Sequence, residues 1–171
     1  MDNMHLLVAN AIPALSNRIE SLVLDVCFDQ AIVETTRTER ADELVRLASS
    51  GAYQLVIVAA DNLLPPPDLR KAWVSANEAV RAIRAIRDRC DTPVIVVSIF
   101  PDEGSLLEAG ARSVVRLPFE GEKLKSGVRR VLRRADQVKE SKPGQLSLSE
   151  LVVRRFGTAL LQAIRTSGSA S

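Results

Sequence analysis

Aromatic residues are scarce in this chain: four Phe, one Tyr and one Trp make up 4% of its 171 residues. With a formal net charge of only +2, that scarcity argues against a surface built to gather a nucleic acid. Histidine occurs once, as His5, and a single imidazole makes neither a metal cluster nor a nucleophilic triad. Cysteine occurs twice, and Cys27 and Cys90 lie too far apart to match any metal-ligand spacing. Both are expected to be reduced thiols of a cytosolic protein, with no disulfide. Long apolar runs are also lacking. The N-terminal run His5–Val8 is short and has no basic region before it, so neither export nor membrane spanning is indicated. No glycine-rich phosphate loop follows any apolar run, and there is no nucleophile elbow. These absences leave no cofactor, no metal and no enzymatic activity to expect.

What is present is a globular composition, 46% hydrophobic and 26% charged, in a chain long enough to bury a core without disulfides. Short apolar runs alternate with helical patterns, the signature of a parallel α/β sheet. A first strand is expected at His5-Leu6-Leu7-Val8, ending on Ala9-Asn10. Pro13 then suits the first turn of a helix, continued by Ile19, Leu22, Val23 and Val26. Ala31-Ile32-Val33 predicts a second strand, and Thr38 a cap for a helix through Ala41, Leu44, Val45 and Leu47, closed by Gly51. Gln54–Val58 is a continuous apolar run of the kind buried on both faces. The segment Asp61 to Asp68 follows, with Pro65-Pro66-Pro67 excluding helix. A helix starting between Leu69 and Ser75 carries Ala79, Val80, Ile83 and Ile86 on one stripe. Pro93–Ser98 predicts a fourth strand, Glu103–Ala109 a short helix before Gly110, and Ser113–Arg116 a fifth strand. The fifth helix is expected over 121–137, with Leu124, Val128, Val131 and Leu132 inward. Five strand–helix units in about 135 residues fit a flavodoxin-like (βα)5 doubly wound parallel sheet in a three-layer sandwich.

Beyond that domain, at 1–137, the character changes. Residues 138–146 read as a linker around Pro143-Gly144. Ser147-Leu148-Ser149-Glu150 matches a capping box, and 147–166 predicts an appended amphipathic helix. Its apolar positions Leu151, Val152, Val153, Phe156, Leu160, Leu161 and Ile164 form a stripe too broad to leave in water. The expected role is assembly, as a homodimer or in docking to a partner, with 167–171 a frayed tail.

Taken in order, Gln54–Val58, Pro93–Ser98, Glu108-Ala109-Gly110-Ala111 and Leu117-Pro118-Phe119 resemble the second half of a response-regulator receiver (CheY-like) domain. The resemblance covers residues 1 to about 137, about four-fifths of the chain. It implies roles position by position. The acidic pair that holds Mg²⁺ after the first strand falls on Ala9 and Asn10. The phospho-acceptor after the third strand falls on Ala59. The hydroxyl that follows the phosphoryl group falls on Ser98 and is retained. The lysine before the Pro-Phe pair falls on Leu117, and the aromatic switch position falls near Val114.

The framework is present and the chemistry is removed, as in a degenerate pseudo-receiver. Mg²⁺ needs oxygen ligands, usually carboxylates, and Ala9 offers none while Asn10 offers one neutral amide oxygen. Phosphoryl transfer rests on positioning and charge neutralisation, which metal and lysine would supply. The one substitute acceptor is Asp61, two residues past Ala59. Against that role stands its reading as a turn residue, bonding its own backbone ahead of the prolines. Ser98, in the same bland reading, bonds nearby backbone, and Arg116 is solvated rather than pointed into the pocket.

The expected function is a receiver-like regulatory protein of two-component-type signal transduction. It is expected to be cytoplasmic, with no membrane association, and to act by protein–protein contact independently of aspartyl phosphorylation. The resemblance places the partner surface at Val114, Arg116, Lys125, Arg129 and Arg133, beside Ser105–Ala109. Two alternatives stay open: a phospho-accepting regulator with a rearranged site using Asp61, and a DNA-associated regulator. The second would use basic helices bearing Arg81, Arg84, Arg87 and Arg89, and Lys123 to Lys139. The usual reading of such basic faces is solvated helix surface with intrahelical pairs.

Overall fold

In the computed structural model the described residues are 2–28, 31–64, 76–99, 101–118 and 121–141. The chain divides into two compact units, residues 1–133 and 134–171. The expected assembly helix, with Leu151, Val152, Phe156, Leu160 and Ile164, lies outside the described residues, as do the three prolines and Phe119.

Five parallel strands, β1 (Asp2–Ala9), β2 (Ala31–Thr38), β3 (Leu55–Ala59), β4 (Val94–Ser98) and β5 (Ser113–Arg116), form one sheet in the order β2-β1-β3-β4-β5. Every residue of β3 and β4 is buried, as expected for central strands covered on both faces. Alternation of side chains then sorts the core into two layers. Leu7, Val56, Val58, Val94 and Val96 meet α2 (Ala41–Ala48), α3 (Ala76–Arg87) and α4 (Glu103–Ala109). Leu6, Val8, Leu55, Ile57, Ile95 and Val97 meet α1 (Pro13–Cys27) and α5 (Gly121–Ser141). The strand order reverses between β1 and β3, and the carboxyl ends of those strands frame the crevice where such sheets take ligands.

Several boundaries differ from the sequence expectation. β2 runs on through Glu34-Thr35-Thr36-Arg37-Thr38, paired residue for residue with β1 from Asp2↔Ala31 to Ala9↔Thr38. Those residues lack apolar alternation because β2 is an edge strand, most of whose side chains need no core. Thr38 is therefore the last residue of β2 and not a helix cap. The residue before α2 is Arg40, in extended conformation and without a capping side-chain bond. Thr38 instead donates its hydroxyl to Glu43 at 2.7 Å. The fifth helix continues to Ser141, past the expected start of the linker at 138. Lys139 and Glu140 are sound helix formers, which suits a helix that runs on past 138.

The α4 boundaries agree with expectation for reasons visible at both ends. Asp102 caps its start, its carboxylate accepting from the Ser105 N–H at 3.3 Å and the Ser105 hydroxyl at 2.6 Å. These bonds hold the Asp102 carboxyl below the ordinary carboxylate range. Gly110 closes the helix at φ +120°, and a Cβ there would lie 2.9 to 3.1 Å from the Arg87 stem. Only glycine satisfies both constraints.

Candidate functional site

The segment that follows β3 lies at the carboxyl ends of the strands. After Ala59 the chain leaves the strand through a 3-10 turn, Ala60–Asn62, so the strand alternation that would aim Asp61 like Ala59 no longer applies. The segment crosses the neighbouring strand ends and is tied to each. The Asn62 carbonyl accepts from Ala11 N–H at 3.0 Å, beyond β1. Leu64 donates to the Glu39 carbonyl at 2.7 Å and accepts from Ala41 N–H at 2.9 Å, beyond β2. On the β4 side the tie is a side chain. The Asp61 carboxylate accepts the Ser98 hydroxyl at 3.0 Å through Oδ1 and the Ile99 N–H at 2.6 Å through Oδ2.

This differs from the turn-residue reading of Asp61. Its carboxylate bonds the end of the adjacent strand β4 rather than its own turn, because β4 ends with an O–H and an N–H converging on that position. Ser98, 2% exposed, donates to this carboxylate and not to nearby backbone. Ile99 stands at a strand end where ligands are expected, but its contribution is a backbone N–H and carries no residue signature. Among the described residues no Lys or Arg makes an ion pair with Asp61. Arg116 is exposed, and Leu117 packs partly buried against the α1/α5 layer. The Leu117 N–H donates to the Ser98 carbonyl at 2.6 Å, and the Leu117–Pro118 peptide is cis.

At the ends of the two strands that frame the crevice, Ala9 and Ala59 are 0% and 1% exposed, with methyl groups in the two core layers. Asn10 is buried, and its Nδ2 donates to the Ile12 carbonyl at 2.6 Å and to Ser16 Oγ at 3.1 Å. Its Oδ1 has no partner. A divalent cation of the Mg²⁺ kind would find one neutral amide oxygen here, while both oxygens of Asp61 accept bonds elsewhere. That donor set does not fit a hard cation that takes near-octahedral oxygen ligation through carboxylates. Among the described residues no group of three His, Cys, Asp or Glu is placed to hold a metal.

The expected partner surface divides. Arg116 and Arg133 are exposed, while Val114 is half-buried against the α2/α3/α4 layer. Lys125 is pinned between Asp25 on α1, at 3.0 Å, and Glu122, at 3.4 Å. The hydrogen bond to Asp25, before that to Glu122, pushes its ammonium pKa up. Arg129 lies 3.7 Å from Glu122. On α3, Arg81 pairs with Glu78 at 3.0 Å, and Arg87 pairs with Asp88 at 3.0 Å. Of the cysteines, Cys27 is buried, its thiol pKa raised by desolvation, and Cys90 is half-buried. No described helix is long and apolar enough to cross a membrane.

The chain matches no protein-family model, and no curated protein matches it in sequence. Solved structures do match. The receiver domain of sensor histidine kinase PA1611 from Pseudomonas aeruginosa is similar at 18% identity and a TM-score of 0.58. The match covers 77% of this chain and 98% of that one, which was solved with a magnesium ion in its active-site cleft. The receiver domain of NtrX from Brucella abortus matches at 16% identity and a TM-score of 0.55, over 75% and 98% of the two chains. A protein from Burkholderia thailandensis named as a candidate pilus assembly protein (cpaE) matches at 22% and 0.56, over 76% and 98%. The fold of this chain is the α/β, flavodoxin-like fold of response-regulator receiver domains.

Proposed function

We propose that this chain is a regulatory module of two-component type that works through protein contact and independently of aspartyl phosphorylation. The observation that carries the reading is the state of the carboxylates at the crevice. Ala59 stands buried where the acceptor would be, and Asp61, the carboxylate at hand, has both oxygens engaged by Ser98 and Ile99. With no fitting metal ligands and Leu117 in place of a lysine, charge on a transferring phosphoryl group would go unneutralised. The test is the intact mass of the protein after incubation with acetyl phosphate and Mg²⁺, beside Asp61→Asn. No mass change is expected. An added phosphate that Asp61→Asn abolishes would instead make this a working switch with a displaced acceptor.

The contact surfaces in this reading are the exposed parts of α4, β5 and α5, including Leu107, Arg116 and Arg133. The ion pairs of Arg81, Arg87, Lys125 and Arg129 with acidic neighbours favour this over a nucleic-acid surface. The candidate pilus assembly protein of the same fold makes a larger protein assembly one setting for such a module. The apolar stripe of 147–166 adds a second contact, with another copy of the chain. Truncation after Gln145 is then expected to give monomers by light scattering. An unchanged oligomer would move assembly to the receiver-like faces.

A further inference from the structure

We propose that the outer edge of β2 pairs with the same edge of a second copy of this chain. The two strands run antiparallel about a two-fold axis at Thr35, and two five-stranded sheets become one continuous sheet. This contact is separate from the apolar stripe of 147–166 and does not depend on phosphorylation.

The free groups follow from the register. β2 is the outermost strand and pairs with β1 alone. The Thr38 carbonyl accepts from Asn10 N–H at 2.8 Å, on the β1 side. Backbone groups alternate from side to side along a strand, so Glu34, Thr36 and Thr38 turn theirs to β1 while Val33, Thr35 and Arg37 turn theirs outward. Among the described residues nothing bonds to those outward N–H and C=O groups. Natural edges are ordinarily blunted by proline, lysine, a bulge or a short strand. β2 has none of these: Ala31 to Thr38 runs eight residues in unbroken register with β1. Its two charges are drawn back over the protein. Glu34 lies 3.2 Å from His5 Nδ1 on β1, and Arg37 donates to Glu20 and Asn17 of α1 at 2.7 Å each.

The shape of the edge selects the occupant. The opposite edge of the sheet, β5, has four residues, so β2 of one copy against β5 of another would leave half of β2 open. β2 against β2 matches two strands of equal length. A two-fold axis perpendicular to the sheet makes that contact closed and self-complementary. Charge then selects the centre. An axis at Glu34 sets carboxylate against carboxylate, and one at Arg37 sets guanidinium against guanidinium, both destabilising. An axis at Val33 shortens the ladder, and one at Thr36 carries Ile32 past the last residue of the other β2. An axis at Thr35 avoids all of these. Thr35 then faces its own copy and exchanges both backbone bonds with it, Val33 faces Arg37, and Glu34 faces Thr36. Ile32, 54% exposed, faces Thr38 in a non-hydrogen-bonded pair, where opposed side chains stand closer.

The experiment measures amide exchange by NMR in the full chain at low and high protein concentration, with mass by light scattering. On concentrating, the amides of Val33, Thr35 and Arg37 are expected to exchange about ten-fold more slowly once roughly nine-tenths of the copies are paired. Those of Glu34 and Thr36, bonded to β1 throughout, keep the protection they have. Thr35→Lys sets cation against cation at the axis, and Thr35→Glu sets anion against anion. Thr35 is exposed, so both leave the core intact. Each variant alone is expected to lose the slowing at the outward amides and to halve the mass of the assembly, and mixing the two restores both. Outward amides that exchange freely at every concentration overturn the proposal. So does protection that survives in Thr35→Lys, which would place the cover within the same chain. A mixture no better paired than either variant alone overturns the axis at Thr35. Assembly through 147–166 alone would raise the mass without the odd–even contrast along β2, and that result also refutes the edge contact.

Discussion

Placing a carboxylate at position 59 should cost this protein stability and confer no phosphotransfer. Ala59 is 1% exposed and sits in the α1/α5 layer with Leu55, Ile57 and Val97. An aspartate has an ordinary pKa of about 3.9, and desolvation at a buried position raises it by roughly 3 units. At about 1.4 kcal/mol per unit this amounts to ~4 kcal/mol of lost stability near neutral pH. Asp61, two residues away, adds like charge in the same direction.

The sign follows from proton binding. The folded pKa would lie above the unfolded one, so the folded state holds the extra proton in the window between them, and stability falls as pH rises through it. Below about pH 4 both states are protonated and the electrostatic part of the penalty is absent. The assay is urea unfolding of Ala59→Asp against the wild type at neutral and at acid pH. With a slope of about 2 kcal/mol per molar urea, the midpoint should drop by ~2 M at neutral pH. The drop should be much smaller at about pH 4. An equal loss at both pH values, or none, would refute the reasoning, since it would mean that the new carboxylate is not desolvated.

Two further outcomes are expected. Gly110→Ala places a Cβ within about 3 Å of the Arg87 stem at a left-handed φ, and should destabilise by about 1–3 kcal/mol, read by the same unfolding assay. Native alkylation followed by mass analysis should label Cys90 well before Cys27, whose thiol is buried and raised in pKa. Equal rates would contradict that burial.

The sequence by itself determined the strand–helix alternation, because continuous apolar runs such as Leu55–Val58 and Val94–Val97 suit only strands covered on both faces. It also determined what the crevice lacks, since methyl groups at Ala9 and Ala59 and an aliphatic chain at Leu117 exclude ligation and charge neutralisation wherever the backbone carries them. Tertiary structure decided the rest. The length of β2 depended on pairing with β1, a partner more than twenty residues away, and not on any apolar pattern of its own. The partners of Asp61 were not legible in sequence, where the residue reads either as a substitute pocket carboxylate or, in an Asp-Asn pair before prolines, as a turn. Half of its partnership is the Ile99 backbone N–H, a group that every residue but proline possesses. Only the chain's return through β4 brings that donor and the Ser98 hydroxyl to the same carboxylate.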